Sequence, residues 1–68
     1  MNSIGIGDDV AFVKDWFCNS LYTTIKKGEI GRVLDKIETD HGHNLFIRLS
    51  SFDDRIIVPE DRNIVCII

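Results

Sequence analysis

Leu45-Phe46-Ile47-Arg48-Leu49 is the stretch whose reading decides the fold. In an extended chain Leu45, Ile47 and Leu49 fall on one side, and Phe46, Arg48 and Ser50 on the other. One face is therefore wholly apolar and the other mixed, the period-two pattern of a strand half-buried against a core. Further apolar runs lie to either side, separated by turn-forming residues: Val10-Ala11-Phe12-Val13, Ile30 to Ile37, Ile56 to Val58 and Ile64 to Ile68. Short runs with turn chemistry between them predict an all-β chain of five strands.

Within the second run Gly31, Val33 and Ile37 share parity, with Arg32 and Lys36 opposite. Gly31 in a strand interior predicts a bulge or a close backbone approach, as a strongly bent strand requires. Thr39-Asp40-His41-Gly42-His43 reads as a polar hairpin loop with a glycine able to take positive φ. Ser50 to Asp53 reads as a tighter hairpin. Pro59-Glu60-Asp61-Arg62-Asn63 reads as one 3₁₀ turn before the last strand. The longest connection, Asp15 to Gly28, follows the first strand. Trp16, Ser20, Thr23 and Lys27 make no apolar stripe, and Asn19, Thr23 and Thr24 are weak helix formers. We expect an extended, folded-back loop there, with room for one helical turn.

Sixty-eight residues hold one hydrophobic core, so 1–68 reads as a single domain, with 1–7 as a looser N-terminal segment. Hydrophobic residues at 44% and charged residues at 28% match a folded globular chain rather than a disordered one. Cys18 and Cys66 have no CxxC or finger spacing and read as reduced thiols, Cys18 in an exposed loop and Cys66 as apolar packing. Met1-Asn2-Ser3-Ile4-Gly5 lacks the basic and apolar regions of a signal peptide, and no apolar run is long enough to span a bilayer. The expected setting is cytoplasmic and soluble, away from membranes. A net charge of −3 weighs against a nucleic-acid binder, whose affinity rests on neutralising phosphates.

One long loop, two hairpins and a turn before a short final strand is a layout that resembles SH3-like barrels. The resemblance rests on Gly7-Asp8-Asp9-Val10, on Lys27-Gly28-Glu29-Ile30-Gly31-Arg32-Val33, and on Ile57-Val58-Pro59 followed by Ile64-Val65. The middle segment is similar to the glycine-centred core of KOW-type domains. The layout is also similar to the small SH3-like subunits of photosystem I and of ferredoxin–thioredoxin reductase. The resemblance implies a five-stranded SH3-like barrel in the role of a small accessory protein. The aromatic-rich segment and tryptophan pair of proline-ligand SH3 domains are missing here, so PxxP recognition is not carried over.

Chemistry-bearing clusters are few. Asp40, His41 and His43 could chelate a metal, but a tight site needs further ligands, and the bland reading is a solvated turn. Nothing brings a histidine to Cys18, so no catalytic residues and no cofactor are expected. The Gly28-Glu29-Ile30-Gly31 segment lacks the spacing of a phosphate loop. Asp53-Asp54 and Glu60-Asp61 read as solvated pairs. The long loop is different: Trp16, Phe17 and Tyr22 are more rings than a small barrel needs. Trp16 and Tyr22 are expected to anchor a protein partner, with Phe17 as the core ring and Lys26 and Lys27 as a charged rim. The expected function is thus a non-enzymatic protein-interaction module, an accessory, adaptor or inhibitor protein docking through this loop and a strand edge. The alternative is a KOW-like nucleic-acid or ribosome-associated domain using Lys26, Lys27, Arg32, Lys36 and Arg48. Apolar residues at both parities from Ile64 to Ile68 also suggest a homodimer or partner contact at the last strand.

Overall fold

Leu45, Ile47 and Leu49 lie buried on the inner face of one strand, β5 (Gly42–Leu49), at the centre of the structure. The computed structural model describes residues 3–51 and 54–68. On one side β5 pairs with β6 (Arg55–Pro59), and on the other with β4 (Ile30–Thr39). Beyond β4 comes β1 (Asp9–Phe12), and beyond that β7 (Val65–Ile67), all antiparallel, giving the order β6-β5-β4-β1-β7. These are the five expected apolar runs. Among the described residues β6 and β7 end the strand order without pairing to each other, so the five strands expected of an SH3-like barrel form an antiparallel sheet that does not close.

The long connection holds more order than an extended loop. Trp16–Cys18 (β2) and Thr23–Ile25 (β3) form a separate two-stranded antiparallel hairpin, with Phe17 opposite Thr24. Alternation explains the pairing: Trp16 and Cys18 turn toward the core and Phe17 away, while Ile25 is buried and Thr24 exposed. No helix occurs among the described residues, so none is long and apolar enough to cross a membrane.

The core is formed by Val10, Phe12, Val33, Leu45, Ile47, Leu49, Ile56, Val58 and Val65 from the sheet, closed by Cys18 and Ile25 from the hairpin. Each such aliphatic side chain contributes about 1.5–3 kcal/mol on burial. At Gly31 strand β4 comes close against β5. A Cβ there would strike the Ile47 side chain and stand 2.9 Å from the Arg48 carbonyl oxygen, which confirms the expected close approach.

The bulge sits further along. Val33 lies opposite Ile47 and Asp35 opposite Phe46, which leaves Leu34 as the extra residue. Past it the strand's two faces exchange. Lys36 therefore comes opposite Leu45 on the inner side and Ile37 is exposed, the reverse of the expected parity. The Lys36 ammonium donates to the Ile4 carbonyl at 2.7 Å and stands 3.3 Å from Glu60 Oε1, with both side chains only 19% exposed. Glu60 Oε2 also accepts the Ile4 N–H at 3.0 Å, so the N-terminal segment is tied down from Ile4 onward.

Two turns complete the frame. Thr39 pairs with Gly42, whose φ is 131°, leaving Asp40-His41 as a two-residue loop. Before β7, the Asp61 carbonyl accepts both Ile64 N–H at 2.8 Å and Val65 N–H at 3.0 Å, and its carboxylate accepts Asn63 N–H at 2.8 Å. The Ile64 bond is the i→i+3 bond of the expected single 3₁₀ turn, here shared with an i→i+4 bond from Val65 and anchored by the Asp61 side chain. The tight hairpin expected over 50–53 lies partly outside the described residues.

Candidate functional site

The β2–β3 hairpin sorts the three loop rings differently from the sequence expectation. Trp16 is half-buried and packs on the core, its ring 6.3 Å from that of Phe12. Phe17 is 49% exposed and Tyr22 86% exposed. Their rings meet edge to face at 5.9 Å, a favourable geometry for two aromatic quadrupoles. Strand alternation is the reason: with Cys18 committed to the core, Trp16 must follow it inward and Phe17 must turn out. Tyr22 sits in the hairpin turn at φ 55°, a left-handed backbone that ordinarily suits glycine or asparagine. The structure thus joins Tyr22 to Phe17 and leaves Trp16 on the opposite side of the hairpin.

Asp15 braces the base of this hairpin. Its carboxylate accepts the Lys27 N–H at 2.8 Å and stands 4.0 Å from the Lys26 ammonium. Lys26 and Lys27 are both exposed beside it.

The basic set divides. Lys36 has gone to the inner side, and Lys26 and Lys27 belong to the hairpin. Arg32 and Arg48 remain, directly opposite each other across β4 and β5, and the register adds Arg55 of β6 opposite Arg48. At the other end Asp9 of β1 lies opposite Arg32. A row Asp9–Arg32–Arg48–Arg55 therefore crosses four strands on the exposed face. Arg55 was missed in the sequence, although its parity with Ile57, against buried Ile56 and Val58, marks it as outward-facing. Arg32 Nε donates to Asp9 Oδ1 at 2.9 Å. That hydrogen bond holds the Asp9 carboxyl below its ordinary value and raises the guanidinium above its own. Arg48 thus stands between Arg32 and Arg55 across two ladders.

Next to this row, a groove of about 600 Å³ lies between the hairpin and β6, with Trp16, Asn19 and Ser20 on one side and Phe46, Arg55 and Ile57 on the other. At the opposite end of the sheet Ile64 and Val65 are buried, while Cys66, Ile67 and Ile68 are exposed. The two cysteines exchange the places expected of them: Cys18 is buried in the core, its sulfur 3.2 Å from Ser20 Oγ, and Cys66 is exposed on β7. Inward alternation in β2 explains the first. The second follows from Val65 filling the core position.

His41 and Asp40 are exposed in the turn, and His43 Nδ1 lies 3.5 Å from Glu60 Oε1. Among the described residues no group of three or more His, Cys, Asp or Glu side chains is placed to hold a metal ion. Family models, curated proteins and solved structures offer no match to this chain, so the site is read from its own geometry.

Proposed function

We propose that the chain is a non-enzymatic protein-interaction module, an accessory, adaptor or inhibitor protein in a small SH3-like fold. The observation that carries this reading is the Phe17–Tyr22 ring pair, displayed on a hairpin that the core holds from behind through Trp16, Cys18 and Ile25. Rigid aromatics lose little entropy on binding and bury large area, so they serve as anchors. Holding Tyr22 in a left-handed backbone costs roughly 1–2 kcal/mol, which the edge-to-face contact with Phe17 partly offsets. Lys26 and Lys27 supply a rim that steers more than it holds. The SH3-like assignment is supported by the long connection after β1, the two hairpins around β5, and a final short strand that returns beside the first.

The test is a photo-crosslinking residue at position 22, used in extract from the cells that make the protein. A saturable crosslink to one protein, competed by the unmodified chain and lost on Phe17→Ala, supports the reading. A Phe17→Ala/Tyr22→Ala chain that stays folded and retains every partner of the wild type would overturn it.

A further inference from the structure

The free side of β6 has a definite hydrogen-bonding character. Glu60 N–H donates to the His43 carbonyl at 2.9 Å and Leu49 N–H to the Asp54 carbonyl at 3.4 Å. With the antiparallel register, this directs the backbone groups of Ile56 and Val58 toward β5. Those of Arg55 and Ile57, with the carbonyl of Pro59, then point away from the sheet. No strand pairs with that edge among the described residues. An unpaired edge of this kind is a template for one more strand.

From this edge, and resting on the protein-interaction reading above, we infer that the groove beside β6 takes an acidic, extended segment of a partner protein, added to the sheet as a strand. Charge selects the occupant. At the far end of the arginine row Asp9 stands opposite Arg32 and bonds to it. At the near end the row stops on Arg55, at the open edge. A carboxylate on an added strand, opposite Arg55, would stand to Arg55 as Asp9 stands to Arg32. The next residue along the added strand falls on the opposite face, the one to which Ile56 belongs and where Trp16 lines the groove, so an alternation of acidic and apolar residues fits. Asn19 and Ser20 across the groove provide polar partners on the hairpin side.

Two other occupants fit less well. A second copy would bring another arginine-bearing β6 against this one. A nucleic-acid strand could neutralise the arginines, yet it offers no ladder of donors for the outward carbonyls of Arg55, Ile57 and Pro59.

The test uses the full chain, labelled for amide NMR, with two probes: acetyl-(Val-Glu)₄-amide and acetyl-(Val-Lys)₄-amide. The Glu peptide should cause saturable shifts at the Arg55 and Ile57 amides and slow Ile57 N–H exchange about tenfold or more, the mark of a new ladder bond. The Lys peptide should do neither. Arg55→Glu should weaken the Glu peptide roughly fivefold and admit the Lys peptide. Ile57→Pro, which removes an outward N–H, should abolish both; if that variant fails to fold, Arg55→Glu decides alone. Equal binding of the two peptides overturns the inference. So does an Ile57 amide already protected in the free chain, a response centred on Arg32 and Leu34, no response at β6 to either peptide, or preference for an oligothymidine over the Glu peptide. The two readings fail separately. A crosslink at position 22 that persists while the β6 edge stays silent removes only this inference, and the loss of both removes the interaction reading itself.

Discussion

Gly31 packs its bare α-carbon against the Ile47 side chain, and a Cβ at that point would stand 2.9 Å from the Arg48 carbonyl oxygen. The clash is with backbone as well as side chain, so it cannot be relieved by a rotamer change alone. Gly31→Ala should lower stability by about 2 kcal/mol, on the scale of overpacked cores. Urea denaturation checks this, and an unchanged midpoint would mean that β4 and β5 can separate at low cost.

The three hairpin rings should respond unequally. Trp16 leans on Phe12 and the core, whereas Phe17 and Tyr22 mainly touch each other. Trp16→Ala should cost about 2 kcal/mol of stability, and Phe17→Ala or Tyr22→Ala less than about 1 kcal/mol each. The measurement is the thermal midpoint of each variant. The reverse ranking would return Phe17 to the core.

Asp9 provides a dependence on pH. Its hydrogen bond from Arg32 lowers the carboxyl's pKa in the folded chain. A lowered folded-state value means the pair's contribution is fully present above the ordinary aspartate value of about 4. It is lost as pH falls from there through the folded value. Asp9→Asn should therefore lose less stability than the wild type over that acid range, while the two differ by a constant amount above it. Parallel acid titrations of the urea midpoint would show whether the curves converge as expected.

The cysteines should separate by rate. Cys66 is exposed and Cys18 is buried, so a thiol reagent should label one group quickly in the folded chain and the second only on unfolding. Cys66→Ser should remove the fast phase. Its survival in that variant would place Cys18 at the surface.

The five sheet strands were legible because each carries an apolar face bounded by turn residues, and Leu45 to Leu49 shows that alternation without interruption. Gly31 was legible for the same local reason. The parity of Lys36 was not, because a bulge at Leu34 depends on the partner strand and leaves no mark in a run of mixed residues. The β2 and β3 strands are three residues each, β2 apolar at every position and β3 only at Ile25, too short for periodicity to register. Phe17 and Trp16 could have been sorted by assigning Cys18 to the core, since alternation then determines both. The arginine row needed the register of three ladders at once, a relation between distant segments that composition and spacing do not carry.

The pairing of Val10 with Ile67 and Phe12 with Val65 joins segments from opposite ends of the chain. The loop that closes this ladder is nearly the whole molecule, so its entropic cost is larger than that of the β4–β5–β6 meander, whose pairings are local. The meander can assemble first and wait, with β7 arriving last as a latch. Three residues long and without a partner strand on its outer side among the described residues, β7 is held by its ladder to β1 and by Val65 in the core. The order of assembly is thereby built into the topology, and the face bearing the arginine row is complete before the latch closes.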